Sequence, residues 1–379
     1  MDQGHGHHEE ITWGRRRARA WVPDPLGDAP PPESLSTARA TSRALALMEA
    51  MENSFPPGWE PLARLLLRAE GIASSSIEGL NADPALVLLA DHQVGSGDAA
   101  WIADNLAVAE RALDDDLSIE TLHRWHRRLM AHGPLPAELV GSFRRAPGWI
   151  GGSSPLDAAY VPPPPELVPD LVADLIGFCH RRDLDPVTQA ALAHGQFETI
   201  HPYGDGNGRL GRILISWILR HWGVVLRTPP PVSLTIARDP GGYLSGLHLF
   251  RHGPRQRWIT WFAETLAAAT TIEGELALAV SRWRDHALET VRALRSDSSA
   301  RRLIDVLPSH PVINASTAAR AIGVTPRAAR NALATLHRLG IVEPLTSPTT
   351  TRGRPSQWWK TPGLVDLLSG RLPNHPPSP

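Results

Sequence analysis

The 379-residue sequence has little cysteine, little lysine and no long apolar run. Its one cysteine, Cys179, excludes an intrachain disulfide. That fits a reducing compartment, and the apolar residues around it mark a core position and not a nucleophile. Lys360 is the one lysine among 38 basic residues, a bias of genome composition more than of function. No apolar stretch approaches the roughly 18 residues of a membrane span, and the N-terminus lacks a charged-then-apolar signal pattern. The formal net charge of −1 gives no overall pull toward nucleic acid or membrane. The expectation is a soluble, cytoplasmic protein with no membrane partner, whose 42% hydrophobic residues can build two or three domains.

What the chain does carry is concentrated in His201-Pro-Tyr-Gly-Asp-Gly-Asn-Gly-Arg-Leu-Gly-Arg212. Gly204, Gly206 and Gly208 let backbone approach a ligand closely, and the apolar run 213–219 predicts a helix opening just after them. Amide groups at such a helix start point at an anion, and the helix dipole adds partial positive charge. Arg209 and Arg212 lie three apart, on one helix face, and can grip further phosphate oxygens as planar forks. Asp205, a hard oxygen donor among cations, suits Mg²⁺ held between phosphates. The ligand read from these residues is a nucleotide, yet no Gly-Lys-Ser/Thr follows and this is not a Walker loop. His201 ends a helical run over 187–200, where an imidazole could take a proton from a nucleophile. A capping histidine would need no Asp, Asn and Arg pair beyond it.

These twelve residues resemble the Fic-family signature H-x-F-x-D/E-G-N-G-R-x-x-R at every position but one, where Tyr203 stands for Phe. Ser74-Ser-Ser-Ile-Glu78-Gly79, Gly141-Ser-Phe-Arg144 with Trp149-Ile-Gly-Gly152, and the Ala-rich helix before His201 widen the resemblance to residues 60–270. It implies a mainly α fold: a Fic-type helical core with a small β-hairpin flap. It also implies a protein adenylyltransferase that moves AMP from ATP to a hydroxyl side chain of a target protein. In that reading His201 deprotonates the hydroxyl and Asp205 holds Mg²⁺. The amides around Gly206 and Gly208 and the Asn207 side chain stabilise developing charge, and Arg209 and Arg212 bind the outgoing pyrophosphate. Ser74, Glu78 and Gly79 match the family's inhibitory S/T-x-x-x-E-G/N motif, whose glutamate pairs with the second motif arginine, here Arg212, in the place of the γ-phosphate. Read alone, that Ser-rich segment caps the preceding helix or starts the next one, with Glu78 a solvated first-turn carboxylate. Two other functions stay open: AMP removal with Glu78 aligning a water, and a DNA-binding regulator whose core senses nucleotide.

Residues 1–35 read as a flexible polar N-terminal segment, 36–115 as a helical region carrying the inhibitory motif, 116–292 as the Fic catalytic core and 293–379 as a winged helix-turn-helix domain. Helical periodicity covers 35–51, 61–73, 117–130 and 167–181. His123 and His126 read as surface or helix-packing histidines. Short extended pieces over 141–160 predict the flap, on which the family docks its target as an added strand, and Arg144 reads as structural. Tyr243 fits either an adenine contact or core packing. The helical stretch 258–283 reads as core or dimer surface, so a homodimer could form. Helices at 301–307, 314–322 and 326–339 make the helix-turn-helix pattern. Residues 293–379 hold eleven Lys/Arg against four Asp/Glu. Arg327, Arg330 and Arg338, with Arg352 and Arg354 in the wing, could meet DNA phosphates, and protein contact is the equal alternative.

Overall fold

The computed structural model describes residues 5–27, 34–55, 59–346 and 357–370, and the protein is mainly helical. In chain order the elements are β1 (Gly6–Trp13), β2 (Arg16–Pro23), α1 (Leu35–Ser54), α2 (Glu60–Ile77), α3 (Pro84–Ala90), α4 (Asp98–Ala112), α5 (Ile119–Leu129), α6 (Val168–Cys179), α7 (Pro186–Ile200), α8 (Asn207–His221), α9 (Val232–Ile236), α10 (Pro240–His252), α11 (Arg255–Thr290), α12 (Ser299–Ile304), β3 (Val312–Asn314), α13 (Ala315–Ile322), α14 (Pro326–Arg338), β4 (Glu343–Leu345), β5 (Trp358–Lys360) and α15 (Pro362–Leu367). They gather into two compact units that interleave in sequence. One takes the described residues of Met1–Asn53 and Arg111–Thr270, the other those of Ser54–Glu110 and Thr271–Pro379.

The first unit is built around α7, of which every residue is buried. Small residues make that possible, since Ala190, Ala191, Ala193 and Gly195 let neighbours approach the helix axis. At Gly195 an added Cβ would lie 2.7 Å from the Phe250 ring. Asp185 caps the start, accepting from the amides of Val187 at 3.1 Å and Thr188 at 2.9 Å. Helices α6, α8 and α10 and strand β2 pack around it. Trp258 donates its indole N–H to the Ala191 carbonyl at 2.7 Å, so this large ring is buried without an orphaned donor. Cys179 is fully buried as expected, and desolvation pushes its thiol up, away from the reactive thiolate.

Two expectations for this unit need correction. Residues 6–23, read as part of a polar tail, form an antiparallel hairpin in which Gly6 pairs with Pro23 and Trp13 with Arg16. The period-two signal is present in β2, where Ala18 and Ala20 alternate with Arg17 and Arg19, but the small apolar residues gave it little contrast. Ile11, Ala18 and Ala20 bury one face against Val161, and the Trp21 amide donates to the Val161 carbonyl at 2.8 Å. The flap, in turn, is held by a single antiparallel bridge between Ile150 and Tyr160 and not by a ladder. Gly151 and Gly152 turn the chain at φ +68° and +78°.

In the second unit α12, α13 and α14 pack with a three-stranded antiparallel sheet of order β3-β5-β4. Gly323, left-handed at φ +64°, ends α13, and the Thr325 hydroxyl accepts from the Ala328 amide at 3.2 Å to start α14. Arg68 on α2 is 5% exposed and donates to Asp91 at 3.1 Å and to the Ser309 carbonyl at 2.5 Å, tying α2 to the turn after α12. The expected wing arginines, Arg352 and Arg354, lie outside the described residues. Among the described residues no helix is long and apolar enough to cross a membrane.

Candidate active site

The motif forms the turn between the two central helices of the first unit. His201 closes α7 in the left-handed region, φ 48° and ψ 62°, with its amide donating to the Phe197 carbonyl at 2.9 Å. That conformation is costly for a non-glycine residue, and here it swings the chain off the helix axis. Gly206, at φ 79°, opens α8 and brings no capping side chain to its first amides. A Cβ on Gly206 would sit 3.0 Å from Leu129 Cδ2 and 3.2 Å from Met130 Sδ, so backbone and α5 touch directly. The Asn207 side chain closes the turn in both directions. Its Oδ1 accepts from the Tyr203 amide and its Nδ2 donates to the Tyr203 carbonyl, each at 2.9 Å. Asn207 therefore shapes the loop.

Arg209 and Arg212 are 1% and 2% exposed in the first turns of α8. Two guanidiniums at the positive end of a helix dipole make this turn electrostatically suited to an anion. Asp205 Oδ1 accepts from the Gly206 amide at 2.5 Å and lies 3.6 Å from Arg209 Nη2, while its side chain stays 41% exposed. No cluster of three or more metal-ligating side chains occurs among the described residues. A single partly exposed carboxylate suits Mg²⁺, which keeps water and phosphate oxygens as its other ligands. Behind the helices His194 is fully buried beside Arg212, with Nε2 2.9 Å from the Tyr243 hydroxyl. Desolvation first, then the Arg212 charge, lowers it to about 3, so it stays neutral. Tyr243 is 5% exposed, stacks on His194 and lies tilted against Trp258.

Three residues outside the motif hold it in place. The His126 ring stacks on Tyr203 with centroids 4.0 Å apart. Its Nδ1 accepts from the Gly141 amide at 2.7 Å, and Nε2 faces the Asp205 carbonyl at 3.1 Å. An amide only donates and a carbonyl only accepts, so the proton sits on Nε2. Burial lowers this imidazole to about 4 and keeps it neutral. His123 Nδ1 lies 3.1 Å from the Tyr203 hydroxyl, the partner that lets a tyrosine take the place of phenylalanine. Arg144, 6% exposed, donates to the carbonyls of His201 at 2.9 Å, Pro163 at 2.5 Å, Ala146 at 3.3 Å and Ile200 at 3.4 Å. A guanidinium thus satisfies the last carbonyls of α7 where the helix dipole is negative. Burial lowers Arg144 to about 10, still charged at neutrality. The structural reading of Arg144 agrees with this geometry. The i, i+3 spacing of His123 and His126 was the visible signal for the other two, but their shared partner Tyr203 lies 80 and 77 positions away.

His201, Asp205, Gly206, Asn207, Gly208, Arg209 and Arg212 are thus gathered in one turn of the first unit. Ser74, Glu78 and Gly79 belong to the second, at the end of α2. Ser74 is buried there, Glu78 is the exposed C-cap, and Gly79 turns at φ +84°. Ser75 donates its hydroxyl to the Gly71 carbonyl at 3.0 Å, and Asn105 binds both at 2.8 and 3.2 Å. The serines finish α2 and do not start a new helix.

Residues 116–219 match the sequence profile of the Fic/DOC family. The protein adenylyltransferase fic-1 of Caenorhabditis elegans is 28% identical over 153 residues, 40% of this chain and 27% of that protein. The protein adenylyltransferase Fic of Drosophila melanogaster is 30% identical over 153 residues, 39% of this chain and 28% of that one. A probable protein adenylyltransferase of Aquifex aeolicus reaches 41% identity over 69 residues, 18% of this chain and 22% of the other. These matches take in less than a third of each relative's length. Among solved structures, a Fic family protein from Desulfovibrio desulfuricans G20 superposes with TM-score 0.53 at 24% identity, covering 88% of this chain and 98% of that one, which shows the shared fold. The turn that joins α7 to α8 lies within this stretch, and residues 116–219 are a Fic/DOC family domain.

Proposed function

We propose that this protein transfers AMP from ATP to a hydroxyl side chain of a target protein in the cytoplasm. The observation that carries the reading is the α7–α8 turn. A left-handed histidine ends one helix, a left-handed glycine starts the next, and two buried arginines line the anion-binding end. His201 accepts the proton of the target hydroxyl, whose oxygen attacks the α-phosphorus as the bond to pyrophosphate breaks. The amides at the start of α8 receive the charge that develops on the phosphoryl oxygens, and Arg209 and Arg212 hold the leaving pyrophosphate. Asp205 would hold Mg²⁺, which when bound supplies charge neutralisation between phosphates. The flap beside the turn aligns the target as an added strand. Support for transfer to protein comes from the names of the relatives that share this domain.

Ser74, Glu78 and Gly79 act in this reading as the restraint. A carboxylate competing for Arg212 would deny the γ-phosphate its fork, and the motif's sequence match is what supports it. The test is label transfer from α-labelled ATP: a Glu78→Gly protein should take up or pass on more AMP than wild type, and His201→Ala should show none.

For the C-terminal region we infer a winged helix that meets DNA through α14. This helix buries Ala329, Ala332, Leu333 and Leu336 and exposes Arg327, Arg330 and Arg338 on the other side. Electrophoretic shift of promoter fragments should weaken when Arg327 and Arg330 are changed to alanine. No shift by wild type at low salt would oppose this reading.

A further inference from the structure

The N-terminal hairpin is packed onto the flap. Ile11, Ala18 and Ala20 share an apolar cluster with Val161 and Ala158 at the flap's return. The Trp21 amide donates to Val161, and at the far end the Trp13 ring meets Trp149 edge-on, centroids 5.3 Å apart. Hairpin tip and flap therefore present one continuous surface. Its apolar part is Trp149, 37% exposed, and Leu156, 38% exposed. Its charge is positive. Arg15, Arg16, Arg17 and Arg19 are all exposed around the turn at Gly14, and Arg145 is exposed on the flap. The segment 12–19 holds no acid. The opposite strand carries two exposed acids, Glu9 and Glu10, of which Glu10 is engaged by Arg17 at 2.5 Å, and the five arginines outnumber the acids. The flap's one acid, Asp157, accepts from the amides and hydroxyls of both Ser153 and Ser154 at 2.7–3.0 Å, and these bonds hold it well below the usual carboxylate range.

From this surface we infer that the β1–β2 hairpin is a specificity-setting extension of the flap, and that it recruits target segments rich in aspartate or glutamate beside the modified hydroxyl. The inference rests on the flap as the target-docking element. Strand addition aligns a polypeptide through its main chain and leaves sequence choice to flanking side chains, and long arginines on an adjoining strand can reach an acidic flank. Complementary charge at a rim raises encounter rate and selects partners more than it adds raw affinity. A nucleic acid is the less suited occupant. The two tryptophans turn edge to face on each other, and single strands are gripped by open aromatic faces.

The test uses the full-length protein carrying His201→Ala, without ATP, so that binding is read apart from chemistry. The probes are a fluorescein-labelled random copolymer of glutamate and tyrosine, one of lysine and tyrosine, and a labelled single-stranded DNA, each followed by fluorescence anisotropy. The expected result is binding of the Glu–Tyr copolymer, weakened about tenfold by combining Arg15→Gln, Arg16→Gln and Arg19→Gln, with no binding of the Lys–Tyr copolymer. Glu10→Gln, which releases Arg17, should instead tighten binding, a gain that misfolding cannot produce. Equal Glu–Tyr binding by wild type and the triple variant overturns the inference. DNA binding that is tighter than copolymer binding and lost in the triple variant also overturns it, in favour of a nucleic-acid surface. Loss of AMP transfer in the protein with His201 intact, alongside unchanged anisotropy, would strike the transfer reading and leave the docking surface standing.

Discussion

Arg144 Nε donates to the carbonyl oxygen of His201 at 2.9 Å, and the same guanidinium reaches Ile200 on α7 and Ala146 at the base of the flap. One side chain thus fixes the end of the central helix, the left-handed histidine and the element beside it. Arg144→Ala should leave several buried carbonyls unpaired and cost about 2–4 kcal/mol of stability. Under the proposed transfer reading, activity should fall about ten- to a hundredfold through kcat with the KM for ATP little changed, because the amides proposed to meet ATP belong to α8. Steady-state kinetics beside a denaturant titration checks both halves. A variant with wild-type kcat would show that His201 holds its place without the clamp.

Two helical glycines should respond with opposite sign. At Gly211 on α8 an added Cβ would meet Glu198 Oε1 at 2.4 Å and His194 Nδ1 at 3.1 Å, across the α7–α8 contact. Gly211→Ala should therefore destabilise by about 1–3 kcal/mol despite its better helix propensity. At Gly177 on α6 nothing lies within 4 Å of an added Cβ. Gly177→Ala should stabilise by about 0.5–1 kcal/mol. Urea midpoints of the two variants beside wild type measure the contrast.

Stability should fall as the solution is acidified from pH 7 to 4. Burial lowers His194 to about 3 and His310 to about 4, both from the ordinary 6.5. Above 6.5 neither the folded nor the unfolded chain holds these protons, and nothing is lost. Below 6.5 the unfolded chain takes them up while the folded protein does not, so each unit of pH costs the native state free energy until the folded values are reached. Denaturation followed at pH 7, 6 and 5 should show midpoints declining below 6.5, and replacing His310 with an apolar residue should flatten the decline. A midpoint constant across that range would contradict the burial of both rings.

Much of the fold and of the motif turn is legible in the sequence. The helices over 35–54, 168–179, 186–200 and 326–338 follow from apolar spacing, and the α7–α8 turn from its glycines, because both signals are local. The domain match and the mainly helical fold agree with the resemblance carried by residues 201–212. What escaped was written across distance. Strand β2 alternates alanine with arginine over 17–20, too weak a contrast to read as a half-buried strand until Val161 is seen to cover it. His126 reads in the sequence as a surface or helix-packing histidine, whereas in the fold it stacks on Tyr203 and braces the motif turn. Its bonds to Gly141 and Asp205 depend on a tautomer that only the fold specifies. Likewise, no local pattern foretold that 54–110 would join 271–379, where Arg68 binds the Ser309 carbonyl.

The measurement closest to the central claim is incubation of purified wild type, Glu78→Gly and His201→Ala proteins with α-labelled ATP and Mg²⁺, read by denaturing gel and intact mass. The account expects one AMP adduct or more on the Glu78→Gly protein or on an added target, less on wild type and none with His201→Ala. Equal labelling of all three, or labelling that survives the loss of His201, would contradict it.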